Sequence, residues 1–568
     1  MTTFFKPTGL LDLSTDPTSL PSTVKDNNEI SGAMQRCKNL RLDEDGVAKT
    51  RDGSSVLDSG LSTDIHRIIE QAGDRYEFGG SIIYENGSSI KTGLTSAMWS
   101  GILYNAYNST VQNVFALNGT DRKRIEGANV YEWGLEAPTV APVIAAGALT
   151  GLTGDYNAKY TYCRKEDSVI VAESDPSPAG ASAVTLADGS LDITFTASSD
   201  PQITHVRVYR TEADGLLYYH DQDIAIGTLT IDTNTADTAL GTEVETDHDR
   251  PPLGSFVLGP NYNGTCFIIK DNLLYYCSPK QPEYWPVSNY IEVSPPQFPG
   301  QTAVFWNGQL YYITKNEIYL IQGTGVSTFF PIPMSAITGA QGIDCAVSVT
   351  GIGIYHVGVD GIYLFTNGND KKISHVFMER LFRGETVNSV PGVDKDKLNK
   401  SWLIQFNNKL YFGYCGSTNT HPQNIIVFDM ATTKIWFFDY GVEITAVAVD
   451  KTNKRLLAGD TSGNVYILED SSLTKDNGED IAWEIETKDF TMQTRKHFPR
   501  WTKYDVDASD SDCSATGAVI VDGSQLQSHV ISGNRVTRRR LITTGNGDRV
   551  SLKITGTGPV SIHAMEFE

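Results

Sequence analysis

The sequence predicts an all-β protein, on three observations. No long segment keeps apolar residues at the three-and-four spacing of a helix. Short runs rich in β-branched and aromatic residues recur instead, each bounded by Gly, Asn or Asp. Tyr (26), Phe (22) and Gly (51) are abundant, a mixture suited to pleated, half-buried surfaces joined by tight turns.

At 568 residues the chain exceeds one small core, so two or more domains are expected. Residues 1–50, with Pro7, Pro17 and Pro21, read as an extended N-terminal arm. Residues 51–146 read as the first part of a β-propeller. The unit is clearest further on, in "AVFWNGQLYYITKNEIYLIQG" (303–323): strand, Asn307-Gly308 turn, strand, Lys315-Asn316 turn, strand. Asn-Gly favours such turns because both central residues need positive φ. The stretch 351–374 repeats the unit, with turns expected at Asp360-Gly361 and Asn367-Gly368. "NIIVFDMATTKIWFFDY" (424–440) and 444–470, with breaks at Lys451–Asn453 and Ser462-Gly463, repeat it again. A period of roughly 40–50 residues is that of four-stranded propeller blades, and about seven or eight are expected.

Residues 147–252 break this rhythm. Strands such as "HVRVYRT" alternate Val206 and Val208 with Arg207 and Tyr209, between Pro-rich flanks. The pattern predicts a β-sandwich inserted between blades, of fibronectin-III/Ig-like type, without the Cys–Trp–Cys set of antibody domains. Residues 253–568 then read as the second part of the propeller. Its last strands, turning at Gly545–Gly547, are expected to help close the ring, since an open ring would expose sheet edges.

The formal net charge is −22, which opposes wrapping of nucleic acid through phosphate neutralisation. It remains compatible with surrounding DNA that must slide. The start lacks a basic stretch followed by an apolar core, and no apolar run approaches a membrane span. Seven scattered cysteines without a C-x-x-C pair point to free thiols in a reducing cytoplasm.

Chemical motifs are scarce. There is no H-E-x-x-H, no G-x-S-x-G and no Walker loop, and "GTGPVS" (556–561) lacks the spacing of a nucleotide fingerprint. His220, His248, His356 and His421 stand without ligand partners nearby in sequence. The blade turns "GVDGIYLF" and "TSGNVYIL" lack the Ser-x-Asp and Trp of sialidase repeats, so no enzyme activity, cofactor or small-molecule substrate is expected. A glycan-binding or glycan-cleaving propeller is the alternative. "DVDASDSD" (505–512) has the alternating carboxylates of a cation loop but reads better as a solvated loop. "RVTRRR" (535–540) is the one dense basic run; Arg538, Arg539 and Arg540 read either as interface residues facing acidic groups of a neighbouring subunit or as a solvated edge that blocks aggregation.

The segment "RCKNLRLDEDGVAKTRDG" (36–53) begins like a calcium loop. Loop position twelve after Asp43 is Ser54, however, so a hairpin turning at Asp43–Gly46 is expected and no metal. This N-x-R-x-D-x-D-G-V-x-x-x-R-x-G pattern, with "GIDCAVSVTGIGIYHVGVDGIYLF", "LLYYCSPKQPEYWP" and "TKDFTMQTRKHFPRWTKYDVD", resembles the tail nozzle, or hub, proteins of short-tailed phages, which include the packaged-DNA stabilisation proteins. The resemblance spans nearly the whole chain through diffuse patterns.

It implies a virion structural protein of the phage tail, assembled in the bacterial cytoplasm. It further implies a homohexameric ring below a dodecameric head-to-tail adaptor. Such a ring extends the DNA channel, helps retain and then release the packaged genome, and docks a tail needle, tailspikes or tail fibres. Double-stranded DNA would pass through the lumen without sequence-specific binding. Arg36, Asn39, Arg41 and Arg51 within the pattern are expected at a subunit or adaptor interface.

Overall fold

The computed structural model describes residues 3–6, 11–13, 16–20, 22–24, 29–43, 46–61, 64–105, 112–261, 263–325, 328–334, 336–374, 378–491, 500–541 and 547–567. The chain forms two compact units. One comprises residues 1–88, 311–318 and 333–568; the other comprises 89–310 and 319–332.

The chain is all-β, built from four-stranded antiparallel sheets of the propeller-blade kind with a β-sandwich inserted among them. In the first unit, one blade runs Ala346–Val349, Gly353–Val357, Ile362–Thr366 and Asn369–Lys372. The next runs Trp402–Phe406, Lys409–Tyr414, Asn424–Asp429 and Ile435–Asp439. A third, Ile444–Asp450, Arg455–Asp460 and Val465–Asp470, takes its fourth strand, Gly53–Asp58, from near the start of the chain. The blade thus combines strands far apart in sequence, but the C-terminal strands expected to close the ring are not among them. The strands Ile65–Gln71, Asp74–Gly79 and Ile82–Glu85 begin a further blade whose last strand, Ser88–Lys91, lies at the division. Division also falls within the run Gly300–Trp306, Gln309–Thr314, Ile318–Gln322 and Phe330–Pro333. Two blades belong to the second unit: Ser100–Asn105 to Asn129–Glu132, and Phe256–Leu258 to Tyr290–Glu292. Local chemistry drives these meanders: Asn307 and Gly308 sit at φ 50° and 74°, Asn367 and Gly368 at 48° and 77°.

The inserted sandwich spans strands from Val143–Ala146 to Thr230–Thr233. One sheet orders Val169–Glu173, Ala158–Glu166, His205–Thr211 and Tyr218–Ala225. Its inner residues Tyr160, Tyr162, Val206 and Val208 pack on Leu191, Ile193 and Phe195 of the facing layer. Alternation therefore works as expected at Val206 and Val208, both fully buried. Two successive blades meet across the insertion, where Ser100 Oγ accepts from Val257 N–H at 3.0 Å. Arg164 fixes the sandwich to the second of them through a buried ion pair with Glu283.

The ends of the chain depart from expectation. Residues 1–50 are not a free arm, and the last strands do not complete a blade. They build a second two-sheet module together, within the first unit. One sheet orders Ser22–Val24, Glu29–Gly32, Thr3–Lys6, Ser561–Phe567, Trp501–Ala508 and Gly533–Arg540. The other extends the Ile435–Asp439 blade edge through Arg36–Lys38, Ala482–Glu486, Arg549–Thr557, Ser514–Val521 and Ser524–Ile531. Phe5, Leu11, Met34 and Leu40 are as fully buried as Tyr504, Val519, Leu552 and Met565. The sheets approach closely where a Cβ on Gly517 would lie 2.7 Å from the Tyr504 ring. The residues expected to form the final hairpin, 545–547, fall mostly outside the described residues.

Candidate functional site

The residues singled out around Asp43 gather at a charged junction in the first unit. Asp43 Oδ1 accepts from Val47 N–H at 2.8 Å, and Gly46 at φ 75° turns the chain back, so the hairpin forms as expected. Burial opposes the Asp43 charge, but the Val47 N–H and Lys49 outweigh it and lower its pKa. Glu44 and Asp45 lie outside the described residues.

Arg51 has a fully buried side chain and satisfies every donor it has. Its Nε donates to Asn39 Oδ1 at 3.1 Å, and Nη1 donates to Asp52 O at 3.0 Å and Asp476 Oδ1 at 2.9 Å. Nη2 donates to Asp439 O at 3.2 Å and to Asp476 Oδ2. The guanidinium lies 3.7 Å from the Tyr440 ring centroid. A planar fork of five donors facing five acceptors suits Arg and would not suit Lys. Asn39, at φ 55°, also donates to Ala482 O at 2.8 Å and accepts from Asp439 N–H at 2.9 Å.

Arg41 pairs with Asp52 at 2.6 Å and Glu469 at 2.7 Å, and the Tyr411 and Tyr440 hydroxyls donate to the same Glu469. Arg36 pairs with Glu484 at 3.1 Å and Glu486 at 2.7 Å. Arg36, Asn39, Arg41 and Arg51 were expected at an interface between subunits. Within the chain all four find partners, which join the N-terminal strands to two blades and the C-terminal strands. For Arg51 the reason is burial, since a guanidinium with no solvent-facing surface has no donor left for another molecule; the Arg36 and Arg41 side chains stay 25% and 22% exposed.

Arg538, Arg539 and Arg540 have the opposite placement. They lie exposed on Gly533–Arg540, the last strand of its sheet, which pairs only with Trp501–Ala508 among the described residues. Arg538 stands 4.8 Å from the Trp501 ring, and Arg500 is exposed beside it. Neither Arg539 nor Arg540 has a carboxylate partner among the described residues.

Groups that sequence order left isolated find partners in space. His356 and Asp370 form a buried pair at 3.0 Å, with the imidazole stacked on Tyr363. His220 meets Asp223 at 3.0 Å, and His421 lies 3.7 Å from Glu443. Spacings of 14 and 22 residues hide two of these pairs from a sequence reading. Ligand-type atoms of Glu245, Asp247 and His248 lie within 4.8 Å of one another, but the first two are exposed loop carboxylates. In 505–512, Asp507 and Asp510 accept from the backbone N–H groups of Ser509 and Asp512, and Asp512 pairs with Lys475. The loop reading holds only from Ser509 onward: residues 505–508 are the end of the strand Trp501–Ala508, where Val506 is fully buried. A cleft of about 510 Å³ in the second unit is lined by Tyr131, Glu132, Tyr160, Asp200 and Arg250. Its Glu132 is already paired with Lys123 and Arg250.

No family model and no curated protein matches the chain. Among solved structures, the extracellular domain of a one-component system from B. thetaiotaomicron is 8% identical, with 93% of this chain and 80% of that one covered and a TM-score of 0.22. The dihydro-heme d1 dehydrogenase NirN is 10% identical over 67% of this chain and 74% of that one, with a TM-score of 0.27. An exo-β-1,3-galactanase from Phanerochaete chrysosporium is 8% identical over 66% and 93%, with a TM-score of 0.18. At such scores the activities of these proteins carry no argument about this chain.

Proposed function

We propose that this chain is a structural subunit of the tail nozzle, or hub, of a short-tailed phage. In this reading it assembles as a homohexamer below the head-to-tail adaptor and has no catalytic role. The observation that carries it is the order of parts: an N-terminal segment bearing the 36–53 pattern, blades, an inserted sandwich, more blades and a basic C-terminal edge. The charged junction supports a mechanical role, because its ion pairs tie both ends of the chain to the blades.

Charge supports the same reading. Six copies at −22 would carry about −130, and a channel sharing that charge repels phosphate, so DNA slides without sticking. The sandwich exposes apolar surface, with Leu216 89% exposed in the turn after His205–Thr211, and in this reading a needle, spike or fibre would dock there.

Negative-stain imaging of the purified protein, alone and mixed with an adaptor, tests the proposal. Sixfold rings are expected. Monomers that retain or cleave oligosaccharides would overturn it in favour of the glycan-binding alternative.

A further inference from the structure

The two sheets of the terminal module finish at consecutive strands, Ser524–Ile531 and Gly533–Arg540. Each is the last strand of its sheet among the described residues, so the module is open on that side. An open edge offers backbone N–H and C=O groups to another extended segment, and proteins normally blunt such edges. Here the blunting device would be charge, through Arg538, Arg539 and Arg540. The surroundings are not those of a merely solvated edge, however. Val536 is 55% exposed, Val530 66% and Trp501 36%, and Arg538 stacks on Trp501. Exposed Trp and Arg beside apolar side chains make the composition of an interaction surface, where these two residue types are enriched.

We infer that the Gly533–Arg540 edge is one half of a head-to-tail contact with a second copy of this chain, received by a carboxylate-bearing surface on that copy. Charge complementarity selects this occupant. The chain holds 68 acidic against 46 basic residues, so another copy presents mainly carboxylates. The same charge disfavours a two-fold pairing of the edge with itself, which would bring eight arginines from two copies together. Paired strands lie about 4.8 Å apart, and a register centred on Arg539 would set the arginine runs directly against each other. A contact between unlike surfaces is heterologous, and heterologous contacts close into rings or extend as filaments. The inference rests on the ring-forming reading and assigns it a surface.

The test uses the full chain and R538E/R539E/R540E, with R538K/R539K/R540K and the single variant R540E alongside. Sedimentation velocity and negative-stain imaging read assembly at about 50 and 500 mM NaCl, and thermal melts confirm folding. Wild type should form rings. The triple reversal should weaken self-association at least tenfold, R540E should do so in part, and the lysine variant should retain rings at low salt. Rings formed equally well by R538E/R539E/R540E, or by R540E if the triple variant does not fold, would overturn the edge assignment and leave the ring reading intact. A wild-type protein that stays monomeric in every condition would overturn both. Loss of binding to a short DNA duplex in the reversal variants, with assembly unchanged, would assign the patch to phosphate and overturn the inference.

Discussion

Arg51 concentrates the junction into one side chain. Its removal leaves Asp476 without its bidentate partner and opens a cavity beside Tyr440. Breaking a buried pair on one side costs about 3–5 kcal/mol. Arg51→Ala should therefore lower the melting temperature of the first unit, and Arg51→Lys should recover only part of the loss; differential scanning calorimetry on both variants checks this. Glu77 gives a pH-dependent counterpart. Burial raises its carboxyl to about 7, against the pull of Arg75. Because its folded pKa lies above its unfolded value of about 4.5, the folded state holds the extra proton between the two. Stability of the blade that begins at Ile65–Gln71 should thus fall as pH rises from about 4.5 to 7, by on the order of 3 kcal/mol, and then level off. Hydrogen exchange in Asp74–Gly79 at several pH values reads this, and Glu77→Gln should flatten the profile.

At the scale of elements, what the sequence discloses depends on how far apart the pairing partners lie. Blade hairpins join strands a few residues apart, so Asn307-Gly308 and Asn367-Gly368 announce them. The alternation at Val206 and Val208 announces the sandwich for the same reason. The terminal module pairs Phe4 with Glu566 and Arg36 with Glu486, and no local pattern carries such registers. The short strands of residues 1–50 accordingly read as an arm. Burial in the junction was hidden too: a run holding Arg41, Asp43 and Arg51 looks solvent-facing until partners such as Glu469 and Asp476, more than 400 residues on, are placed. The exposed arginine run was readable because an edge strand needs no distant partner to stay charged. A consequence for truncation follows. Deleting residues 1–50 removes Phe5, Leu11, Met34 and Leu40 from a shared core, so residues 482–567 should become protease-sensitive while 346–470 stays protected. Limited proteolysis with mass spectrometry distinguishes this from the loss of a free arm, which would leave both regions resistant.

For the whole molecule, insertion of a sandwich between blades raises the question of how firmly it is held. Within the second unit, Arg164 and Glu283 are both nearly inaccessible, and Gln202 bridges Arg164 at 3.0 Å to the Glu132 carbonyl at 3.1 Å. Glu283→Ala would leave the buried Arg164 guanidinium with only the partly exposed Glu166 as counter-charge, at a cost of up to about 3–5 kcal/mol. Faster hydrogen exchange is expected in Ala158–Glu166, with the Ala346–Val349 blade of the first unit unchanged. The interleaving of both ends also sets an order of events on the ribosome. Strand Thr3–Lys6 emerges early, yet its neighbour Ser561–Phe567 is made more than 500 residues later. At about 5–20 residues per second, the early strand waits roughly half a minute or longer for its partner. Blades can fold as they emerge, but the terminal module is a post-translational event. Only a chain translated through its last strands can present a finished Gly533–Arg540 edge, so interrupted products would lack the surface inferred to recruit the next subunit.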